Sequence, residues 1–255
     1  MLNARVVKLG GNELDRPEWL AACAAGLSAA GPVVVVHGGG RAVTALSQRL
    51  GLPVEKRDGL RVTTAEIAAV VEMVLGGPLN RTVVAALRRA GLDAVGLSGV
   101  DGGLLAAEPL PGGLGHVGRI THVRAALLES LLLAGLTPVV APMAPAAEDP
   151  GGVPLNVNAD DVAAAVAGAL HAAELLFVSD VPGVVVDGVA QPTLATGEIE
   201  TLIDLGVAAH GMAAKLRAAA AALEAGARAA RIGDLALLTG ATAGTRILAA
   251  APQPA

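Results

Sequence analysis

Two lysines, an aspartate, an arginine and three glycine-rich turns carry most of the chemistry available to this 255-residue sequence. Gly10-Gly11, Gly38-Gly39-Gly40 and Asp180-Val181-Pro182-Gly183 each follow a β-prone run. Glycine lets backbone N–H groups approach an anion closely, and a helix starting after the turn adds its positive end. One such turn has a plain alternative, a tight connection packed on a helix; three together point to an anion site. Lys8 ends the first β-prone run, directly before its glycines. A charge there faces a cleft or an anion, unless it snorkels from an edge strand to water. Lys215 is expected in the first turn of a helix beginning near Gly211-Met212, where its charge opposes the helix dipole; a solvated helix face is the simple reading. If both ammonium groups enter one cleft, they can neutralise the charge spreading over a transferring phosphoryl group.

Asn156-Val157-Asn158-Ala159-Asp160 is polar for the entry into an apolar helix. If extended, it places Asn156 and Asn158 on one side, while Asp160 could cap the helix or hold lysines through charge-assisted hydrogen bonds. Arg61, within the otherwise apolar Leu60-Arg61-Val62, could clamp a carboxylate with its guanidinium fork or simply lie at the surface. The histidines at 37, 116, 122, 171 and 210 form no zinc pattern, and His37 is expected to order its turn rather than act as a base. A carboxylate acceptor needs no base at neutral pH, being ionised with an ordinary pKa near ~4. GxxxxGK[ST] does not occur, and the three glycines after His37 are not the spaced GxGxxG of a dinucleotide site, which disfavours P-loop NTPases and Rossmann dehydrogenases. His37-Gly38-Gly39-Gly40 has a counterpart in lipase-like oxyanion loops, but the GxSxG elbow such enzymes require is missing.

These residues need strands that end in turns. Residues 4–9 and 33–36 read as strands, with a helix between them over 15–30 that Asp15 could cap. A helix follows over 42–50 and an extended stretch over 56–62. Thr63, three before Glu66, suggests a capping box ahead of Ile67, Val70, Val71 and Val74. Further helices are expected over 80–90, 124–134, 159–171, 198–206 and 212–225. Strands are expected over 94–98, 138–142, 174–179, 228–232 and 245–249, with hairpins around 111–113 and 187–188. Such repeated crossovers predict a mainly parallel sheet with helices on both faces and ligands at the strands' carboxyl ends. The polar segment 148–152 is the expected lobe boundary, dividing the chain into 1–153 and 154–255.

Hydrophobic residues make up 53% of the chain, yet Trp19 and Phe177 are its only aromatics, so aliphatic side chains must fill the core. The net charge of −5, without a basic run, argues against nucleic acid as a partner. Cys23 alone allows no internal disulfide and fits a reducing compartment. No secretory signal opens the chain, and its alanine-rich segments are broken by charge and glycine short of a membrane span. The cytoplasm, with no membrane partner, is the expectation.

In order, the chain carries VVKLGGN (6–12), VVVHGGG (34–40), DGLRVT (58–63), EMVLGGPLN (72–80), AVGLSGVDG (94–102), GHVG (115–118), NVNAD (156–160), SDVPGV (179–184), GMAAK (211–215) and GTRI (244–247). This series resembles the acetylglutamate kinases of the amino acid kinase family over essentially the whole length. The resemblance implies an open three-layer αβα sandwich with an acetylglutamate lobe followed by an ATP lobe. It implies that Lys8 and Lys215 stabilise the transferring phosphoryl group and that Asp160 orients them. Gly10 and Gly11, with Gly39 and Gly40, would serve phosphate or acceptor, and Arg61 and Asn156 would hold the acceptor's α-carboxylate. Asp180, Val181, Pro182, Gly183, Val184 and Val185 would house the nucleotide on one side, and Val207, Ala208 and Ala209 on the other. ATP and Mg2+, bridging the β and γ phosphates, are the implied cofactors, and the product is the acyl phosphate of arginine biosynthesis. A related branch phosphorylates carrier-protein-bound aminoadipate or glutamate; the intact DGLRVT and NVNAD look like the acetylglutamate form. Arg81 and His210 depart from the family pattern at peripheral positions. The chain begins almost at its first strand, without the extra helix of arginine-inhibited hexamers, so a homodimer is expected.

Overall fold

The computed structural model describes residues 2–249. Its central sheet contains β1 (Arg5–Leu9), β2 (Val33–His37), β3 (Ala94–Ser98), β4 (Thr137–Ala141), β5 (Glu174–Val178), β6 (Thr193–Ala195), β7 (Ala230–Gly233) and β8 (Thr245–Leu248). Their order in space is β6-β8-β7-β5-β1-β2-β4-β3. Every adjacent pair is parallel except β7 with β8. The helices are α1 (Pro17–Ser28), α2 (Gly40–Arg49), α3 (Ala65–Val71), α4 (Asn80–Arg89), α5 (Ala125–Leu133), α6 (Ala159–Ala169), α7 (Ile199–Asp204) and α8 (His210–Glu224).

Strand alternation sorts the core into layers. Val6, Val34, Val36, Leu175 and Phe177 share one apolar cluster with residues of α5, α6 and α8. Their neighbours Val7, Val33, Val35, Leu176 and Val178 share another with α1 and α4. Successive side chains of a strand point to opposite faces, so a run such as Val33 to Val36 must be apolar throughout when helices cover both. Each fully buried valine or leucine stabilises by roughly 1.5–3 kcal/mol. The scarcity of aromatics is met by close helix approach: a Cβ on Gly168 of α6 would lie 2.4 Å from the Ala225 Cβ just past α8. The result is the expected αβα sandwich. A smaller sheet joins 105–109, 117–123, 155–157 and 143–144, and contains the hairpin expected around 111–113.

Several local expectations are corrected. Asp15 does not cap α1; Arg16 stands at that position without a side-chain bond, and Pro17 opens the helix. Thr64, not Thr63, caps α3, accepting from the Ile67 N–H. The strand β6 was not expected. The helix expected from Asn80 is the last part of a run that starts at Ala65 and passes through a π-helical segment, Glu72–Leu79. Gly77 leaves helical conformation there just before Pro78, whose missing N–H and ring force the widened turn. Residues 65–89 are also long and apolar enough, with a mean hydropathy of 1.3 over an 18-residue window, to meet the length and composition of a membrane span, contrary to the sequence reading. In the fold, Ile67, Val70, Val71 and Leu75 of this run pack with Val43 of α2, and Val83 and Leu87 pack beneath the sheet.

From β1 the chain passes to β2 on one side, builds β4 and β3 beyond it, then crosses back to place β5 on the other flank of β1. Connections diverge there, so a crevice opens beyond the carboxyl ends of β5, β1 and β2, the place where open α/β sheets bind ligands.

Candidate active site

Lys8 lies on β1 two residues from Val6, and so faces the same helical layer, the one containing α6. There its Nζ stands 2.8 Å from Oδ1 of Asp160, with only 7% and 8% of the two side chains exposed. The contact is an ion pair rather than an aligned hydrogen bond, since that oxygen has no hydrogen-bond partner of good geometry. Asn158 caps α6, its side chain accepting from the Asp160 N–H at 2.8 Å, which leaves the Asp160 carboxylate free for the lysine. A cap role for Asp160 itself is thus replaced by its neighbour's.

Lys215 sits in the second turn of α8, not the first, and its Nζ donates to the Gly211 carbonyl at 3.3 Å. Burial, and then the positive charge of Lys8, press its pKa below the ordinary lysine value, while Asp160, Glu13 and Asp180 act in the opposite sense. Residues 8 and 215, far apart in sequence, therefore lie within each other's field in the crevice.

The first two glycine turns meet backbone to backbone. A Cβ on Gly11 would fall 2.4 Å from the Gly39 nitrogen, and one on Gly39 would fall 2.4 Å from both Leu75 and Leu79. Only glycine fits at either position. Gly10 donates its N–H to the Val178 carbonyl at 2.9 Å, tying this turn to the end of β5, where the third turn begins. His37 is fully buried. Its Nδ1 lies 2.8 Å from the Gly38 carbonyl and its Nε2 lies 3.1 Å from the Asn80 amide. Burial pushes its pKa down to about 4, so the ring is neutral, donating to Gly38 and accepting from Asn80. It orders its turn, as its setting in the sequence suggested.

Gly39, Gly40, Arg61 and Asn156 line one cavity of about 190 Å3, with Asn158 beside them. The Arg61 Nη2 donates to the Gly40 carbonyl at 2.8 Å and to the Thr44 hydroxyl at 2.7 Å. Its Nη1 is buried without a partner. A guanidinium pinned by one arm with the other arm unmet is prepared for an anion. Asn156 donates to the Thr63 hydroxyl at 3.2 Å, and Thr63 donates to the Arg61 carbonyl at 2.8 Å, so these side chains hold one another.

Asp180 to Val185 leave β5 as a turn held from β8: the Val184 N–H donates to the Thr245 hydroxyl at 2.8 Å, and a Cβ on Gly183 would crowd that same oxygen at 2.6 Å. Val207 to Ala209 lead into α8; Val207 is exposed and Ala208 buried. Sequence reasoning missed Glu13, Asn80, Ser179 and Thr245. Glu13 is 4% exposed beside the first turn, and the buried Ser179 hydroxyl at the end of β5 has no partner. Their signal was faint: each is a single polar residue at or near the boundary of an element.

The family model described as "Amino acid kinase family" matches residues 3–234. This chain belongs to the amino acid kinase family. An acetylglutamate kinase of Chloroflexus aurantiacus is 49% identical over 240 residues, covering 92% of this chain and 94% of the relative. One from Geobacillus kaustophilus is 48% identical over 223 residues, covering 86% and 84%. Among solved structures, smu.665 of Streptococcus mutans UA159 superposes with a TM-score of 0.83 at 31% identity, covering 97% of this chain and 99% of that one.

Proposed function

We infer that this chain is an acetylglutamate kinase: it moves the γ-phosphoryl group of ATP to the side-chain carboxylate of N-acetyl-L-glutamate, giving N-acetylglutamyl 5-phosphate for arginine biosynthesis. The observation that carries the reading is the pairing of a two-lysine crevice with a neighbouring cavity in which Arg61 presents an unmet guanidinium arm. In this reading Arg61 and Asn156 hold the acceptor's α-carboxylate, and Gly39 and Gly40 line its path to the phosphoryl group. Gly10 and Gly11 face the phosphates. Asp180, Val181, Pro182, Gly183, Val184 and Val185 flank the nucleotide opposite Val207, Ala208 and Ala209, where exposed Val185 and Val207 offer apolar surface for a base. Residues 1–153 then form the acceptor lobe and 154–255 the nucleotide lobe, with Asn156 reaching across to the acceptor cavity.

The acceptor carboxylate is already ionised, so its oxygen attacks the γ-phosphorus as the bond to the β–γ bridging oxygen breaks and ADP leaves. Lys8 and Lys215 offset the negative charge on the equatorial oxygens; Asp160 keeps Lys8 aimed and opposes loss of the Lys215 proton. Among the described residues no group of three or more His, Cys, Asp or Glu is built to hold a metal. Mg2+ bound with the nucleotide would supply positive charge to its phosphates, beside that of Lys8 and Lys215. The protein acts in the cytoplasm as a homodimer.

The test is ATP- and Mg2+-dependent hydroxamate formation with hydroxylamine, which traps an acyl phosphate. N-acetyl-L-glutamate, glutamate, aspartate and aminoadipate are compared as acceptors. Trapping with aminoadipate or aspartate and none with N-acetyl-L-glutamate would overturn the substrate assignment.

A further inference from the structure

Glu13 has no part in the transfer described above, yet it lies in its midst. The turn after β1 folds its side chain back over Gly10, so closely that a Cβ on Gly10 would meet the Glu13 Oε2 at 2.2 Å. Solvent reaches only 4% of the residue. The surface it covers is the first glycine turn, which is bonded through the Gly10 N–H to the end of β5. The charged groups that act on it are Asp180, Lys8 and Lys215. A carboxylate buried against the first glycine turn, within the field of two lysines, occupies a place in the charge balance that a nucleotide's phosphates would claim.

We propose that Glu13 is a positioning residue of the phosphoryl site: in the free enzyme its carboxylate stands in for phosphate charge opposite Lys8 and Lys215, and it takes up a proton when the triphosphate binds. The inference rests on the kinase reading given above. Burial, and then the negative charge of Asp180, already raise its pKa, with its own backbone N–H, Lys8 and Lys215 opposing. Arriving phosphates draw the two lysines away and add negative charge nearby, and both changes favour the protonated acid. One proton moves from solvent to the carboxylate, and no other bond changes. Linkage then requires nucleotide affinity to fall as pH rises between the pKa of Glu13 in the free enzyme and its higher value in the complex, by at most about tenfold per pH unit.

The experiment is calorimetric titration of the full chain with a Mg2+-saturated, non-hydrolysable ATP analogue. It is run at several pH values between 5 and 8 in buffers of different ionisation enthalpy. The wild type should take up more protons per nucleotide bound than Glu13→Gln, which keeps the shape of the side chain but cannot titrate. The variant's ATP KM should also lose the pH dependence that separates it from the wild type, a change that simple loss of packing would not produce. Equal proton uptake by the two proteins, with nucleotide binding intact, overturns the proposal. Absence of nucleotide binding in the wild type overturns the kinase reading instead. If Glu13→Gln does not fold, the wild type decides alone, because proton uptake that is zero throughout that range refutes the linkage.

Discussion

Arg61→Lys separates binding from architecture at the acceptor cavity. In the native structure one guanidinium nitrogen bonds the Gly40 carbonyl and the Thr44 hydroxyl, while the other is buried and unmet. Lysine keeps the charge and can still reach one of the first two partners, but it has no second arm. A hydrogen bond to a charged group is worth about 1.5–3 kcal/mol. Since about 1.4 kcal/mol is a factor of ten, kcat/KM for N-acetyl-L-glutamate should fall by about 10- to 150-fold. The loss should appear mainly as a higher acceptor KM, with the ATP KM unchanged. Loss of one of the two bonds that the charged Nη2 makes costs about 1.5–3 kcal/mol, less than the ~5–15 kcal/mol that holds a typical domain, so the variant should remain folded. Initial rates from the hydroxamate assay, with each substrate varied at saturating levels of the other, give both constants, and thermal unfolding gives the control. An unchanged acceptor KM would refute the clamp. A collapse of the fold with parallel loss of affinity for both substrates would make Arg61 a structural residue.

Lys8→Ala and Lys215→Ala should each lower kcat by about 10²-fold or more, read in the same assay. Only Lys8→Ala should also lose about 3–5 kcal/mol in denaturant unfolding, because it leaves the buried Asp160 carboxylate without its partner. His37 has a folded pKa of about 4, below its unfolded value, so the folded state binds fewer protons. Its stabilising contribution is complete above about pH 6.5 and is lost as pH falls toward 4, up to about 3 kcal/mol. The difference in unfolding free energy between wild type and His37→Gln should change across that window, and a flat difference would remove the buried neutral histidine. Cys23 is buried on α1 and its thiol is pushed up to about 12, so a thiol reagent at pH 8 should label it only after denaturation.

How much could be read beforehand followed from the strength of the local signal. Val33 to Val36 could only be a strand covered on both faces, and Gly38 to Gly40 could only be its turn, so β2 and the glycine loop that ends it were legible. Asn156, Arg61 and the two lysines announced themselves as charge or amide amid apolar runs. The cap of α3 was misplaced by one residue because Thr63 and Thr64 offer the same hydroxyl; Thr63 is instead drawn inward by the nearby Arg61 carbonyl and by Asn156, 93 residues away in sequence. The π-helical passage through Gly77 and Pro78 was read as a break, although flanking apolar residues held by two separate cores keep the helix going. Glu13 passed unnoticed because nothing local marks it. Its significance comes from the turn that lays it on Gly10 and from charges delivered by β1, α8 and the β5 turn.

The charge arrangement also explains why Asp160 belongs on α6. Two ammonium groups placed together repel, and Lys8 already depresses Lys215. Without an anion nearby, the second lysine would give up its proton more readily in a crevice shielded from water, and a neutral amine cannot offset phosphoryl charge. The countercharge must not itself compete for the phosphoryl position, so it has to lie behind the lysines. The amino end of α6 meets that condition, because it packs against β1 on the face that carries Lys8 and is capped by Asn158 rather than by Asp160. Exchanging these two roles would leave a carboxylate bound to the helix end and a lysine pair with no counter-ion, which is why Asn158→Asp should preserve turnover better than Asp160→Asn. Comparable kcat losses in the two variants would show that the countercharge acts from the helix end in general and not from Asp160 in particular.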